Sequence, residues 1–386
     1  MEFCIVAANY PTPNRQVLVF LESVVEKIVD RGIRCNVIAP QSSFAYLTKK
    51  NFRRDFVSER TTKNGNKYMV YSPLYTVYPM REIGNIHFND KSKLSCYKAI
   101  KRVYKKYNMH ADVFYAHFIQ AGIPAVKLAN ELGIPSFIAN GEAETIRETE
   151  HISRSLLRKT LDDVTGIISV STKNKEEIYE LCDGDPTVMD KVTIIPNATD
   201  PTRFYQKDRA ECREKLGLPK NAFIVAFTGY FIERKGIQKL AAALDRFDDV
   251  FSMFIGVGTS KPACKNILHI GSVRNAELCN YLNAADIFVL PTLAEGCCNA
   301  ILEAMSCGIP VVSSNRSFNN EILDETNAIL IDPLREEDIY RAIKLLKDDP
   351  AKRVSLSEGC LEKAKGLSLD RRVDRILAFI REKFHS

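Results

Sequence analysis

No segment of this 386-residue chain reaches the roughly 20 apolar residues that a membrane-spanning helix needs. Its start, MEFCIVAANYPTPNRQ, lacks the basic segment followed by a long apolar one that marks a secretory leader, so a cytoplasmic chain is expected. The eleven cysteines are odd in number and include no C-x-x-C, and most lie in apolar surroundings, as Cys4, Cys35 and Cys279 do. That pattern excludes a disulfide framework or a zinc cluster and reads as reduced core thiols, with no metal site expected. No G-x-G-x-x-G follows the first apolar run, which argues against an NAD enzyme. Nucleic acid is not an expected partner either, because no recognition motif or stacking signature is present.

What the chain does have suits two α/β domains. Its length exceeds one ordinary core, and 45% apolar with 26% charged residues matches globular composition. The net charge of +6 is uneven: KSKLSCYKAIKRVYKKY, at 91–107, holds seven Lys or Arg and no acid. Leu94, Tyr97, Ile100, Val103 and Tyr107 recur there at helical spacing, leaving Lys98, Lys101, Arg102 and Lys105 on other faces. With KKNFRRDFVSER at 49–60, this suggests contact with an anionic membrane surface, against the plainer reading of a solvated basic helix.

Short β-rich runs alternate with amphipathic helices, which predicts parallel sheets flanked by helices. The first half offers strands at Phe3–Ala8, Cys35–Ala39, Val113–Ala116, Ser136–Ala139, Gly166–Val170 and Val192–Pro196. Between the first two, Val17, Leu18, Leu21, Val24, Val25 and Ile28 form a helix face ending at Gly32. A second series, Phe223–Phe227, Phe251–Ile255, Asn266–Ile270, Ile287–Leu290, Pro310–Ser313 and Ala328–Ile331, follows turn residues near Asn197. Ligands of such sheets bind beyond the strands' carboxyl ends, so a cleft between two such domains is the natural site.

Residues 295–310, EGCCNAILEAMSCGIP, carry the chemistry. Glu295 precedes a turn and Glu303 lies inside the helix that follows. Gly296 gives the backbone freedom there, and the amides of Cys297, Cys298, Asn299 and Ala300 form the unpaired N-terminus of the helix, which favours phosphate. Carboxylates on each flank would repel phosphate, so they are better suited to neutral hydroxyls, as in a nucleotide sugar. The spacing alone supports equally an ordinary helix start with two solvated glutamates.

Taken with PNATD, FTGYFIERKG, HIGSV, NAADIFVLPT, NEILDETNAILIDP and LLKDDP in order from Pro196 to Pro350, this stretch resembles the family 4 glycosyltransferases. YPTP, ADVFYAHF and IPSFIANGE extend the likeness more loosely into the first half. The resemblance implies an α/β fold of the GT-B type, two Rossmann-like doubly wound domains with an interdomain cleft. Residues 1–197 would bind the acceptor, 198–368 the nucleotide sugar, and a C-terminal helix, 369–386, would cross back with Val373, Ile376, Leu377 and Ile380 on one face.

Site roles follow from the same resemblance. Glu303 would hold the ribose hydroxyls and Glu295 those of the donor sugar, while Lys235 would neutralise the diphosphate. Backbone near Ser272 and Val273 would face the base, and His117 the sugar. Two departures stand out. The arginine usual after the strand-end glycine, Gly229, is Tyr230 here, with Arg234 as a candidate substitute. The glycine pair of the first loop is replaced by YPTPNR, leaving Arg15, with Asn140 and Glu142, as acceptor-side candidates. The implied reaction moves a sugar with retention from a UDP or GDP sugar to a glycan or lipid-linked acceptor, without metal or cofactor, at the inner membrane face. A nucleotide-sugar 2-epimerase and a non-catalytic carbohydrate-binding subunit are the competing readings.

Overall fold

A computed structural model of the protein describes residues 1–8, 10–11, 19–44, 56–79, 82–83 and 86–384. Its contacts divide the chain into two units, Met1–Ile195 with Val373–Ser386, and Pro196–Arg372.

In the first unit the strands are β1 (Glu2–Val6), β2 (Arg34–Ile38), β3 (Gln41–Ser42), β4 (Val57–Thr61), β5 (Lys67–Tyr71), β6 (Leu74–Tyr75), β7 (Glu82–Ile83), β8 (Ile86–His87), β9 (Val113–His117), β10 (Ser136–Asn140), β11 (Gly166–Ser169) and β12 (Val192–Ile194). Eight of them form one sheet in the order β12-β11-β10-β9-β1-β2-β5-β4. Every pairing in it is parallel except β4 with β5. Central strands such as β9 and β10 are buried along their whole length, as parallel strands covered on both faces must be. Helices Phe88–Lys106 and Ile119–Leu132 pack there through Ile100, Ile119, Ile123 and Leu128. Helix Val19–Asp30 buries Leu21, Val24, Val25 and Ile28, as its periodicity predicts, whereas Val17 and Leu18 lie outside the described residues.

The antiparallel β4–β5 pair departs from the sequence reading, which treats 49–60 only as a basic stretch. Its signal is Asn64-Gly65, a hairpin dipeptide. Gly65 takes φ +86°, and the turn is fastened by Thr62, Asn64 and Asn66 side chains donating to Asp30.

The second unit contains β13 (Phe223–Thr228), β14 (Val250–Ile255), β15 (Ile267–Gly271), β16 (Ile287–Leu290), β17 (Val311–Ser314) and β18 (Ala328–Ile331). They form an all-parallel sheet in the order β15-β14-β13-β16-β17-β18. Strand order reverses between β13 and β16, and the carboxyl ends at such a reversal are where doubly wound sheets hold ligands.

The last helix, Leu369–Phe384, belongs to the first unit from Val373 onward. Val373, Ile376, Leu377 and Ile380 are buried along one face. Phe379 meets Phe137 edge-on at 5.9 Å, Arg31 pairs with Asp374 at 2.8 Å, and Arg375 donates to the Ile194 carbonyl at 2.9 Å. Gly166 makes the close approach possible, because a Cβ there would lie 2.9 Å from Phe379. Ile376→Ala empties a fully buried site and should cost the first unit about 2–5 kcal/mol, read from urea unfolding followed by circular dichroism.

Candidate functional site

Two loops at the strand-order reversal of the second unit bring the candidate residues together. After β13 the chain passes Gly229 and Tyr230, makes a 3-10 turn at Glu233–Lys235, and enters helix Ile237–Asp245 through Gly236. Gly236 has φ +68°, and a Cβ on it would stand 2.0 Å from the Pro291 carbonyl oxygen. Only glycine allows this approach of one loop to the other. After β16, Leu293 N donates to the Arg234 carbonyl at 2.7 Å and Ser314 Oγ to the Thr292 carbonyl at 2.6 Å.

The two loops meet at a carboxylate. Glu295 and Lys235, each 8% exposed, form a direct ion pair. Thr292 Oγ1 donates to the same carboxylate oxygen at 2.8 Å, and Arg234 Nη1 lies 3.6 Å from the other. Arg234 also donates to the Ala294 carbonyl. Burial works against the Lys235 charge, but Cys298 and Glu295 outweigh it and hold its pKa above the ordinary value. Lys235 and Arg234 thus both turn to Glu295, whereas the sequence reading gives the two cations to the diphosphate and Glu295 to the donor sugar. Tyr230, at the position of the missing arginine, is 64% exposed.

Glu295 is followed by a bend at Gly296 and Cys297, and the helix proper runs Asn299–Ser306. Its first amides therefore start at Asn299, two residues later than the sequence reading has it, because the bend comes first. Cys298 stands at the N-cap and supplies no side-chain hydrogen bond. Asn197 Nδ2 fixes the bend by donating to the Cys297 carbonyl at 3.0 Å. Burial pushes the Cys297 and Cys298 thiols up to about 12 and about 11, which makes both poor nucleophiles. All eleven cysteines are free thiols, and ten are buried.

Glu303 is half-buried on this helix, and its carboxylate makes no hydrogen bond or ion pair among the described residues. Burial pushes its carboxyl up to about 7, against a smaller opposing pull from Arg203. Asn299 Oδ1 is likewise buried without a hydrogen-bond partner among the described residues. Two unused acceptors beside open helix amides suit a ligand that carries both hydroxyls and negative charge. Val273 is half-buried just beyond β15 and Ser272 is exposed. Among the described residues no group of three or more His, Cys, Asp or Glu is arranged to hold a metal ion.

Candidates in the first unit are built differently. His117 ends β9, buried between the rings of Phe20 at 5.3 Å and Phe118 at 4.4 Å. Phe118 has φ +71°, a strained conformation for a side chain of this size, and leads into helix Ile119–Leu132. Glu142, expected on the acceptor side, instead takes the Ile119 amide at 2.8 Å and the Gly141 amide at 2.9 Å. Burial raises its pKa to about 7 despite these bonds. Asn140, expected beside it, is fully buried, donating to the Asn174 carbonyl at 3.3 Å and accepting from Thr145 at 3.2 Å. Both residues spend their polar groups on the protein itself. Arg15 lies outside the described residues. Thr292 and Arg203 are missing from the sequence reading, and Asn197 enters it only as a turn residue; a threonine after a strand-end proline gives no signal of the carboxylate it will meet.

Two doubly wound sheets, the second with its candidate site at the reversal of strand order, make up the GT-B architecture. Residues 208–362 match the family "Glycosyl transferases group 1". Over 337 residues the chain is 25% identical to TuaC of Bacillus subtilis, which carries the name of a teichuronic acid biosynthesis glycosyltransferase, covering 84% of this chain and 83% of that one. It is 29% identical over 313 residues to the UDP-Gal:alpha-D-GlcNAc-diphosphoundecaprenol alpha-1,3-galactosyltransferase of Escherichia coli, covering 74% and 78%. Among solved structures, Anabaena HepE in complex with UDP has the same fold, with a TM-score of 0.72 at 16% identity over 99% of this chain and 100% of that one. These likenesses place residues 208–362 among the group 1 glycosyltransferases and support transferase activity for the chain. No helix among the described residues is long and apolar enough to cross a membrane.

Glu303 gives the site a pH signature. A carboxyl whose folded pKa is raised takes up a proton on folding between about 4.5 and about 7, so its contribution destabilises the fold as pH rises through that window. Glu303→Gln should therefore be about 1–3 kcal/mol more stable than the wild type near pH 8, with the gap closing below about pH 4.5. Thermal unfolding of the two proteins across this range checks it.

Proposed function

We propose that this protein transfers a sugar, with retention, from a nucleoside diphosphate sugar to the hydroxyl of a glycan or lipid-linked glycan in cell-surface polysaccharide or glycolipid synthesis. A UDP sugar is the preferred donor, in keeping with the UDP-galactose named for the Escherichia coli relative and the UDP complex of HepE. The observation that carries the reading is the second-unit cluster: two cations and Glu295 at the strand-order reversal, beside a helix start with an unpartnered Glu303.

In this reading the diphosphate lies against the amides at Asn299 and after, with Lys235 and Arg234 supplying the positive charge in place of a metal ion. Glu303 accepts from the ribose hydroxyls and Glu295 from the sugar. The bond from the anomeric carbon to the diphosphate oxygen breaks as a bond from that carbon to the acceptor oxygen forms on the same face. The acceptor's proton passes to the departing phosphate. Charge on that leaving group is stabilised by preorganised donors, an effect worth about 3 kcal/mol for each one lost. Lys235 also holds Glu295 in place, so one residue serves both leaving group and sugar. The first unit takes the acceptor, its basic helix Phe88–Lys106 meeting an anionic membrane surface at the cytoplasmic face.

Glu303→Ala should weaken UDP-sugar binding by about 10- to 100-fold, the value of hydrogen bonds to a charged group. Glu295→Ala should lower kcat by about 100-fold or more with donor saturating. Calorimetry with UDP and a radiolabelled transfer assay read these two effects, and wild-type values in both variants would sink the assignment. Lys235→Ala should weaken UDP binding in the same calorimetric titration; unchanged affinity would remove Lys235 from the diphosphate.

A further inference from the structure

Helices Phe88–Lys106, Ile119–Leu132 and Arg154–Asp163 of the first unit border an open cavity of about 390 Å³ whose residues have no part in the site above. Its lining is amphiphilic. Ile123, Leu94 and Leu156 give it an apolar wall, and Lys93, Lys127 and Lys159 bring three positive charges against one negative charge, Asp90. Asp90 is engaged by the Ser153 amide at 3.1 Å. Lys159 pairs with Asp163 at 3.1 Å on the outer face, and Lys127 lies over the Tyr97 ring at 5.1 Å.

Lys93 is the unusual member. Its ammonium donates to the neutral Gln120 Oε1 at 2.5 Å and makes no ion pair among the described residues. Desolvation by burial lowers its pKa to about 8. A desolvated cation with a neutral partner is costly unless an anion completes it. Leu94, next in sequence, is 44% exposed, so an apolar surface stands beside a charge whose acidic neighbour in the lining is Asp90 alone. A soluble anion would answer the lysines and leave this wall wet, whereas a phospholipid answers both. Among the described residues, the lining holds no aromatic ring for a nucleic acid base to stack on.

We propose that this cavity seats the phosphate of an anionic membrane phospholipid, with Lys93 beneath it, Lys127 and Lys159 at its rim, and the start of the acyl chains against Leu94, Ile123 and Leu156. The inference rests on the reading that the first unit meets an anionic membrane, and adds a discrete site to what would otherwise be diffuse attraction of a basic helix.

Flotation of the full chain with vesicles of phosphatidylcholine alone, or with one third phosphatidylglycerol, tests it at about 0.15 M salt. Lys93→Gln with Lys127→Gln should weaken binding to the anionic vesicles about tenfold or more, since each lysine near such a surface is worth about 1 kcal/mol. Lys98→Gln with Arg102→Gln removes the same charge from exposed positions of the same helix outside the cavity, where it shares only the diffuse attraction, and should weaken binding at least about threefold less than the cavity pair does. Leu94→Asp, at an exposed position that leaves the fold intact, should also lose about tenfold. Dihexanoyl phosphatidylglycerol should raise the melting temperature of the wild type and not of the Lys93/Lys127 variant, and inorganic phosphate should raise neither. Equal losses in the two charge-matched pairs would reduce the effect to diffuse electrostatics and overturn the site, as would an equal response to inorganic phosphate. Absence of wild-type binding to anionic vesicles would overturn the membrane reading as well, while UDP calorimetry on the same samples reports separately on the transferase site.

Discussion

The Lys235 ammonium and the Glu295 carboxylate meet where little water reaches, and neither charge would be tolerated there alone. Removing one partner of such a pair typically costs about 3–5 kcal/mol, because the other is left buried and uncompensated. The contact joins the loop after β13 to the loop after β16, sixty residues apart in sequence. Gly236 lets the loops touch, Thr292 adds a hydrogen bond to the carboxylate, and Ser314 steadies the Thr292 carbonyl from the next strand. The helix that begins at Asn299 is aimed by this lock, and with it the amides and the Glu303 carboxylate.

Each unit presents the same feature at its strand-order reversal, a helix start after the strand that follows the switch, and the two starts are used oppositely. In the first unit, Glu142 fills the helix entrance at Ile119 with a carboxylate from the chain itself. In the second, Cys298 leaves the entrance at Asn299 without a side-chain cap. A helix N-terminus attracts one negative group; where the protein provides it the position is structural, and where it does not the position is open to a ligand. The contrast explains why Glu142 is tied into the fold.

The strands of both units were readable because buried parallel strands are continuous apolar runs, and all twelve proposed runs became strands within a residue or two of their expected ends. Antiparallel β4 and β5 were not, since Val57–Thr61 is half-polar at a sheet edge and only Asn64-Gly65 marks the turn. In the site, the spacing of EGCCNAILEA marked a helix start between two glutamates, and only the ordered series of motifs around it gave those glutamates roles. The convergence of Lys235, Arg234 and Thr292 on Glu295 was not, because it depends on which strands are neighbours, and local sequence does not encode the β13–β16 pairing. The helix start itself was misjudged by two residues, since a bend and a first turn have the same composition here.

Glu303 carries a further consequence. With its carboxyl pushed up to about 7, it holds a proton in a sizeable share of ligand-free molecules near neutrality. A ligand whose hydroxyls donate to it favours the ionised form, so that proton must leave as the ligand arrives. Binding and protonation then compete for one oxygen pair. Acidification would loosen the ligand without touching its phosphates, and the heat of binding would depend on the buffer that accepts the proton. On the role proposed for Glu303, a carboxylate kept short of partners would couple ligand occupancy to the acidity of the solution around it.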